Sequence, residues 1–321
     1  MPSDLFVGVD IGGTKVAAGV VDAMGEISSF KRVPMISNSS AEDGLNAVLS
    51  AINQVLPKHA TKIAGIGICA PGPLDPKAGV ILNPPNVPCW RNFPLAASVQ
   101  KMYRVPVKVD NDANAAALAE ARWGAARGYC NVFYATIGTG IGTGILLDGK
   151  IYHGRTGSAG EGGHVSIDYR GPRCSCGKPG CIEVLASGTA LAKRARERVA
   201  AGGKSSMLEM AGGTIEAITG EMIGKACAAG DALANQIVGE TTEMVALWLG
   251  NMIDLLDPEV IVIGGGAAAL FEPFLEQLRE LIPKLTLNPF AAEVPILHAR
   301  YGADSGIAGG AALCAEPRFT G

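Results

Sequence analysis

One imidazole and three thiols, His164, Cys174, Cys176 and Cys181, fall within residues 164–181 of the chain, in the run HVSIDYRGPRCSCGKPGC. Three thiolates and an imidazole complete the tetrahedron that zinc prefers and leave no position for an activated water, so a metal held here would be structural. The same residues could instead form a disulfide within CSC or CGKPGC, or remain unligated thiols. Two carboxylates, Glu161 and Glu183, bracket the segment. A metal loop flanked by acids is a candidate wall of a polar binding pocket.

Three glycine-rich turns offer a second kind of chemistry. DIGGTK places Asp10, Gly12, Gly13, Thr14 and Lys15 between two apolar runs. Backbone N–H groups unobstructed by Cβ atoms form anion-binding nests, with Thr14 as a hydroxyl donor, Lys15 as a cation and Asp10 as an acid able to reach hydrated magnesium. Tight hairpin geometry explains the same glycines equally well. IGTGIGTG, with Gly138, Thr139 and Gly140, repeats the pattern, and IVIGGG brings Gly264 and Gly265 after a third apolar run. The third is neither a GxxxxGK[ST] loop nor a GxGxxG fingerprint. The third turn suits a stacked adenine or a close phosphate, or is a plain strand-to-helix turn. Asn111 and Asp112 lie where an apolar run gives way to an Ala-rich one, so either could cap the helix that begins there.

The elements that must position these groups follow from periodicity. Strands are expected at Leu5–Val9, Val16–Val21, Ile63–Cys69, Val105–Val109, Val132–Ile137, Ile145–Leu147, Glu259–Ile263 and Val294–Leu297. Helices are expected over 41–56, Leu95–Met102, Asn111 to about Ala126, Ser187–Ala200, Asp231–Leu256, about Pro273–Leu281 and Asp304–Cys314, with Pro258 ending the longest. Strand, glycine turn and strand occur twice, which points to an internal duplication.

Composition narrows the class. With 321 residues the chain is long for one core, and 48% hydrophobic content with only 5% aromatics calls for an aliphatic and Ala-built layered α/β protein. Glycine supplies 43 residues, about twice the usual ~7%. A net charge of −3 with interspersed signs gives no basic stripe for nucleic acid and no polybasic membrane patch. The N-terminus lacks the pattern of a secretory signal, no apolar run reaches membrane-spanning length, and Cys69, Cys89, Cys130, Cys227 and Cys314 stand singly, as reduced thiols do. A cytoplasmic protein is expected.

Taken together, the glycine turns resemble the sugar kinase, actin and heat-shock ATPase superfamily. Within it, DIGGTK, VDNDANAAALAE, GEGGH and CSCGKPGCIE resemble the ROK family of repressors, open reading frames and sugar kinases, over nearly the whole chain. The resemblance implies two duplicated actin-like, ribonuclease H-like lobes around a cleft: residues 1–118 as a small lobe with the last helix, about 304–321, packed back on it, and 119–303 as a large lobe carrying zinc loop 164–181. It implies ATP with Mg²⁺ as cofactor, held by the three turns, a structural zinc, a hexose as substrate, a place in carbohydrate metabolism such as glycolysis, and a homodimer. It places Glu161, His164 and Glu183 on the sugar, Asn86 beside them from the small lobe, and Asn111 with Asp112 at the reacting end. Asp112 would take the proton of the attacking hydroxyl, a role compatible with helix capping. His164 would serve twice, one nitrogen on the metal and the other on a sugar hydroxyl.

A glucokinase is the simplest member to expect, with an N-acylhexosamine kinase or a fructokinase next. A polyphosphate donor is compatible with the nests as well. The sugar-responsive repressors of the family carry an N-terminal helix-turn-helix domain, whereas the first strand here is expected at Leu5, and a repressor is therefore disfavoured. A sugar-binding protein without catalysis is the remaining alternative.

Overall fold

The computed structural model describes residues 4–56, 63–268 and 274–315. The chain divides into two compact units. The first holds residues through Tyr134, Gly144–Gly160 and those from Ala299 onward; the second holds Ala135–Thr143 and Glu161–His298.

In the first unit, β1 (Leu5–Ile11), β2 (Lys15–Val21) and β3 (Ile27–Pro34) form an antiparallel meander, and β4 (Ile63–Ala70) and β7 (Val107–Asn111) extend it in parallel, in the order β3-β2-β1-β4-β7. The inner strands are apolar nearly throughout: Val7, Val9, Ile66 and Ile68 are fully or almost fully buried, as expected of strands covered on both faces. Helix α1 (Ala41–Val55) starts at a capping box, with Ser40 and Asp43 each bonded to the other's backbone N–H, and packs on β2 and β3. Helix α2 (Leu95–Tyr103) packs on β7. Helix α10 (Ser305–Cys314) lies on β1 and β4 and against α3 (Asp112–Trp123). Its approach is so close that a Cβ at Gly8 would fall 1.8 Å from the Ile307 carbonyl oxygen, and one at Gly67 would fall 1.7 Å from that of Gly310. These glycines serve packing, and only small residues on α10 permit it. A two-stranded ribbon, β5 (Leu74–Asp75) with β6 (Val80–Ile81), precedes the Pro-rich loop that carries Asn86.

The second five-stranded sheet runs β10 (Lys150–Ile151), β9 (Ile141–Leu147), β8 (Val132–Ile137), β11 (Val260–Gly264), β12 (Ile296–His298). Its order is again third, second, first, fourth, fifth along the chain, so the repeat legible in the sequence is repeated in the sheet topology. Helices α4 (Ile182–Ala186), α5 (Gly188–Ala200), α6 (Ser206–Met210), α7 (Gly220–Ala228), α8 (Ala232–Leu256) and α9 (Leu275–Leu281) belong to the second unit. Leu191, Met207, Ile223 and Ile237, from α5 to α8, share one buried cluster. Asp231 caps α8 by accepting from the Ala234 N–H, and Asp257 ends it at φ 43° just before Pro258.

Several boundaries differ from expectation for identifiable reasons. β3 is an edge strand in which Lys31 and Arg32 interrupt the apolar alternation, so its signal is weak. β9 begins at Ile141 rather than Ile145, because glycines read as a turn lie in the strand; a Cβ at Gly144 would meet the Ala113 carbonyl oxygen of α3 at 2.5 Å. α3 ends at Trp123, since the Glu120 side chain turns back to accept from the Ala125 N–H at 2.8 Å. α7 has no expected counterpart, and β12 begins at Ile296 rather than Val294. Pro273 and residues 316–321 lie outside the described residues.

Candidate active site

Parallel strands gather chemistry at their carboxyl ends, and in the first unit the register is explicit: Asp10 of β1 pairs with Cys69 of β4, which pairs with Asp110 of β7. Asp10 opens the first glycine turn. The Gly12 N–H donates to the Lys15 carbonyl at 2.9 Å, Thr14 and Lys15 are exposed, and a Cβ at Gly13 would lie 2.7 Å from the Asn86 carbonyl oxygen. The DIGGTK residues and Asn86 are therefore brought together within one unit. Asn86 touches the turn through its backbone, and its exposed side chain is not what holds the turn.

Asp10 is an energetically unfavourable carboxylate. The first turn of α10 covers it, with the place of a Gly306 Cβ only 2.5 Å from its Cγ. Burial first, then the charge of Asp112, push its pKa up from 3.8 to about 6, against the opposing pull of Lys15 and Arg32. A folded-state pKa above the unfolded value means that the native state binds the proton more tightly. Asp10 thus contributes stability that is complete below pH 3.8 and lost as the pH rises through about 6. Asp10→Asn is expected to remove that loss and to raise Tm by about 2–5 °C at pH 7.5 without nucleotide. Thermal scans of both proteins between pH 4 and 8 check it; parallel pH profiles would contradict it.

At the start of α3 the two candidate caps separate. Asn111 occupies the N-cap with extended backbone, and its Oδ1 accepts from the Ala113 N–H at 2.9 Å; Asp112 is the first helical residue and is exposed, with its Oδ1 2.8 Å from the same N–H.

In the second unit the four metal-ligand candidates converge. One donor atom from each of His164, Cys174, Cys176 and Cys181 lies within 4.8 Å of all the others. His164 Nδ1 is 3.6 Å from Cys174 Sγ, and the Cys176 and Cys181 sulfurs are 3.6 Å apart, far beyond a disulfide bond. Zn–S bonds of about 2.3 Å at a tetrahedral angle put two sulfurs about 3.8 Å apart, so the donor set fits a four-coordinate zinc. Turn geometry builds the cluster: the Cys174 N–H donates to the Lys178 carbonyl, and Gly180, at φ 61°, sits where a Cβ would strike the Asp168 carbonyl oxygen at 1.8 Å. The Lys178 N–H holds the Cys176 thiol below its ordinary pKa, while burial and the neighbouring thiols push Cys181 upward.

GEGGH is set by close approach to β9. A Cβ at Gly163 would lie 1.9 Å from the Ile141 carbonyl oxygen; Thr143 accepts from the Gly162 N–H at 2.9 Å, and the buried Trp248 donates to the Gly162 carbonyl at 3.1 Å. Thr143 and Trp248 are supports that sequence reading missed. Glu161 precedes this 3₁₀ turn and is exposed. Glu183, in the first turn of α4, is committed on one side: its Oε2 accepts from the Ile141 N–H at 3.0 Å, and its Oε1 lies 3.9 Å from His164 Nδ1. Gly140 abuts this carboxylate, with its missing Cβ 2.5 Å from Oε2.

The same unit holds a cavity of about 1060 Å³ bordered by Gly138, Thr139, Arg196, Lys225, Asn235 and Gly266 among others. Its size is at the upper end for small-molecule sites. Of the second glycine turn, Gly138 and Thr139 line it and Gly140 faces Glu183 instead. Of the third, Gly266 and Ala267 line it, whereas Gly264 is buried in β11 and Gly265 makes the turn, at φ 93°, with a Cβ position 2.4 Å from the Ile137 carbonyl oxygen. Much of the remaining wall comes from α5, α7 and α8. Arg196 donates twice to the Ile218 carbonyl, at 3.0 and 2.7 Å, and so steadies the segment before α7. No periodic or motif signal marked these wall residues.

Among known proteins, the chain is 34% identical to glucokinase of Streptomyces coelicolor over 316 residues, 98% of each chain. It is 31% identical to N-acetylmannosamine kinase of Salmonella heidelberg over 95% of this chain and 96% of that one. It is 32% identical to the xylose repressor of Caldicellulosiruptor bescii over 86% of this chain and 69% of that one. The crystal structure of a ROK family glucokinase from Streptomyces griseus in complex with glucose and AMPPNP superposes with a TM-score of 0.80 at 34% identity, covering 96% of this chain and 98% of that one. The α/β architecture with its two mixed sheets is thus that of solved ROK structures. The family profile itself matches residues 6–316, a span that includes the first glycine turn, Asn111-Asp112, the Cys₃His cluster and α10, and the chain accordingly belongs to the ROK family.

Proposed function

We propose that the protein is an ATP-dependent hexose kinase, in the simplest case a glucokinase that transfers the γ-phosphoryl group of ATP to the 6-hydroxyl of glucose. The observation that carries this reading is the division of labour at α3: Asn111 takes the capping position, and Asp112 stands exposed one residue further on. Asp112 is the general base of the proposal. Orientation matters more than basicity here, because in a loose phosphoryl-transfer transition state the attacking hydroxyl acidifies late.

Mg²⁺·ATP would use the turn Asp10–Lys15 and the cavity lined by Gly138, Thr139 and Gly266, whose volume suits a nucleoside triphosphate. Asp10 fits the magnesium side of that assignment, since a buried carboxylate raised to about 6 by desolvation and by the charge of Asp112 is relieved by a nearby cation, which lowers its pKa again. Zinc would be held by His164 Nδ1, Cys174, Cys176 and Cys181 and would supply rigidity only, its coordination being complete. With Nδ1 toward the thiols, the other ring nitrogen of His164 is the one assigned to a sugar hydroxyl. Asn86, Asn111, Glu161 and Glu183 complete the proposed sugar contacts, with Glu183 also bracing the second glycine turn.

ADP release measured across glucose, mannose, fructose, N-acetylglucosamine and N-acetylmannosamine tests the reading. Turnover fastest with glucose is expected. A preference for the acylamino sugars would instead favour the N-acylhexosamine kinase reading, which the Salmonella relative supports. No sugar-stimulated ADP release with any of them would refute kinase activity and favour a sugar-responsive binding protein, the class to which the xylose repressor belongs.

A further inference from the structure

Asp110 is 4% exposed, yet it carries a carboxylate two residues before the candidate base. A buried carboxylate persists only where it is paired and hydrogen-bonded. Three donors meet it. Its Oδ1 accepts from the Asn111 N–H at 2.8 Å and from Asn114 Nδ2 at 3.1 Å, and its Oδ2 lies 2.6 Å from His153 Nε2. Asn114 is itself 4% exposed, and its Oδ1 has no partner among the described residues. That amide is oriented to give its donor to Asp110 rather than to satisfy its own acceptor. Asp110 therefore fixes the first turn of α3 at two points, the backbone of the cap residue and the side chain of the third helical residue.

His153 is the third point and comes from a different part of the same unit. It follows β10, in a segment tied down by the Tyr152 N–H donating to Ile145 and the Ala159 N–H donating to His153. Gly154, at φ 66°, sits where a Cβ would be 3.0 Å from that of Ala159. The imidazole thus links an anchored loop to the carboxylate that holds the α3 start.

We propose that His153, acting through Asp110, is a positioning residue for Asp112. The proposal rests on the assignment of Asp112 as base. The imidazole N–H restrains the Asp110 carboxylate, which restrains the Asn111 backbone and the helix start, and with them the direction in which Asp112 presents its oxygens. A displacement of about 1 Å at a reacting group is worth about 100-fold in rate.

The test compares His153→Ala with His153→Gln, whose Nε2 can replace the imidazole donor. Kinetics, thermal stability and amide hydrogen exchange at Asn111 and Ala113 are measured on the full chain. His153→Ala is expected to lower kcat about 10- to 100-fold, to leave the sugar and ATP KM values within about twofold, and to speed exchange at both amides by at least about tenfold. His153→Gln is expected to recover kcat to within about threefold and to restore protection. A His153→Ala kcat within twofold of wild type would overturn the proposal. So would a Gln variant as slow as the Ala variant, which would assign the effect to imidazole packing. Exchange does not depend on catalysis and separates this proposal from the reading beneath it. If wild type releases no ADP with any sugar, the kinase assignment fails by itself, and unchanged exchange in His153→Ala would then overturn the His153–Asp110 restraint independently.

Discussion

Asp112→Asn is expected to reduce kcat by about 100-fold or more, with the sugar KM changed by less than about threefold. The substitution is nearly isosteric and keeps a hydrogen-bonding side chain at the first helical position. What it removes is the ability to accept a proton and the negative charge. An interaction made only in the transition state lowers kcat and kcat/KM together, whereas a binding contact would raise KM. The substitution leaves the fold in place, because Asn111 and not Asp112 holds the N-cap, and because the charge of Asp112 helps to raise the pKa of Asp10. Removing that charge relieves repulsion, so Tm is expected to hold or to rise slightly. Steady-state kinetics by coupled ADP detection, with a thermal scan of the same sample, check both parts. Turnover near the wild-type rate would remove Asp112 from the mechanism.

The two glycine turns that open β-hairpins were legible because the sequence writes them twice, with apolar runs on either side, and the sheet order repeats with them. The convergence of His164, Cys174, Cys176 and Cys181 was legible because three thiols and an imidazole within one short loop have few other uses. What stayed hidden was decided by tertiary contact. Gly144 reads as part of a turn and Gly8 and Gly67 as glycines inside apolar strands, but each is glycine because a helix backbone passes against it. The third glycine turn reads in the sequence as ligand-facing at Gly264 and Gly265, whereas Gly266 is the one at the cavity, since the strand continues further than its composition suggests. Arg196, Lys225 and Asn235 reach that cavity from three helices whose periodicity reports only their buried faces. Asp110 and His153 are 43 positions apart in the chain, and no spacing rule joins an acid to a lone histidine at that distance.

Cys176→Ser is expected to abolish stoichiometric metal binding and to raise the sugar KM by at least about tenfold, with a much smaller effect on the ATP KM. Position 176 is the informative one of the three cysteines. Cys174 and Cys181 are buried, so substituting either would disturb packing as well as ligation, whereas Cys176 is exposed and leaves no core void when its sulfur is replaced. The Lys178 N–H already favours its thiolate form, the form that binds metal, and a serine hydroxyl at neutral pH offers no comparable anion. Loss of the metal removes the restraint on the His164 ring and on the turn that carries Glu161, three residues before it. Supporting groups that orient a ligand of this kind are worth about 10- to 100-fold in affinity or activity. The cavity proposed for the nucleotide is lined by Gly138, Thr139 and residues of the helical part of the same unit, none of which belongs to the Cys₃His cluster, and the ATP KM should therefore be the less affected. Metal content by elemental analysis after dialysis, sugar and ATP titrations, and Tm together decide the matter. A variant that keeps one zinc per chain would show that three ligands suffice, and a metal-free variant with a normal sugar KM would show that the cluster stabilises the fold without shaping the sugar site.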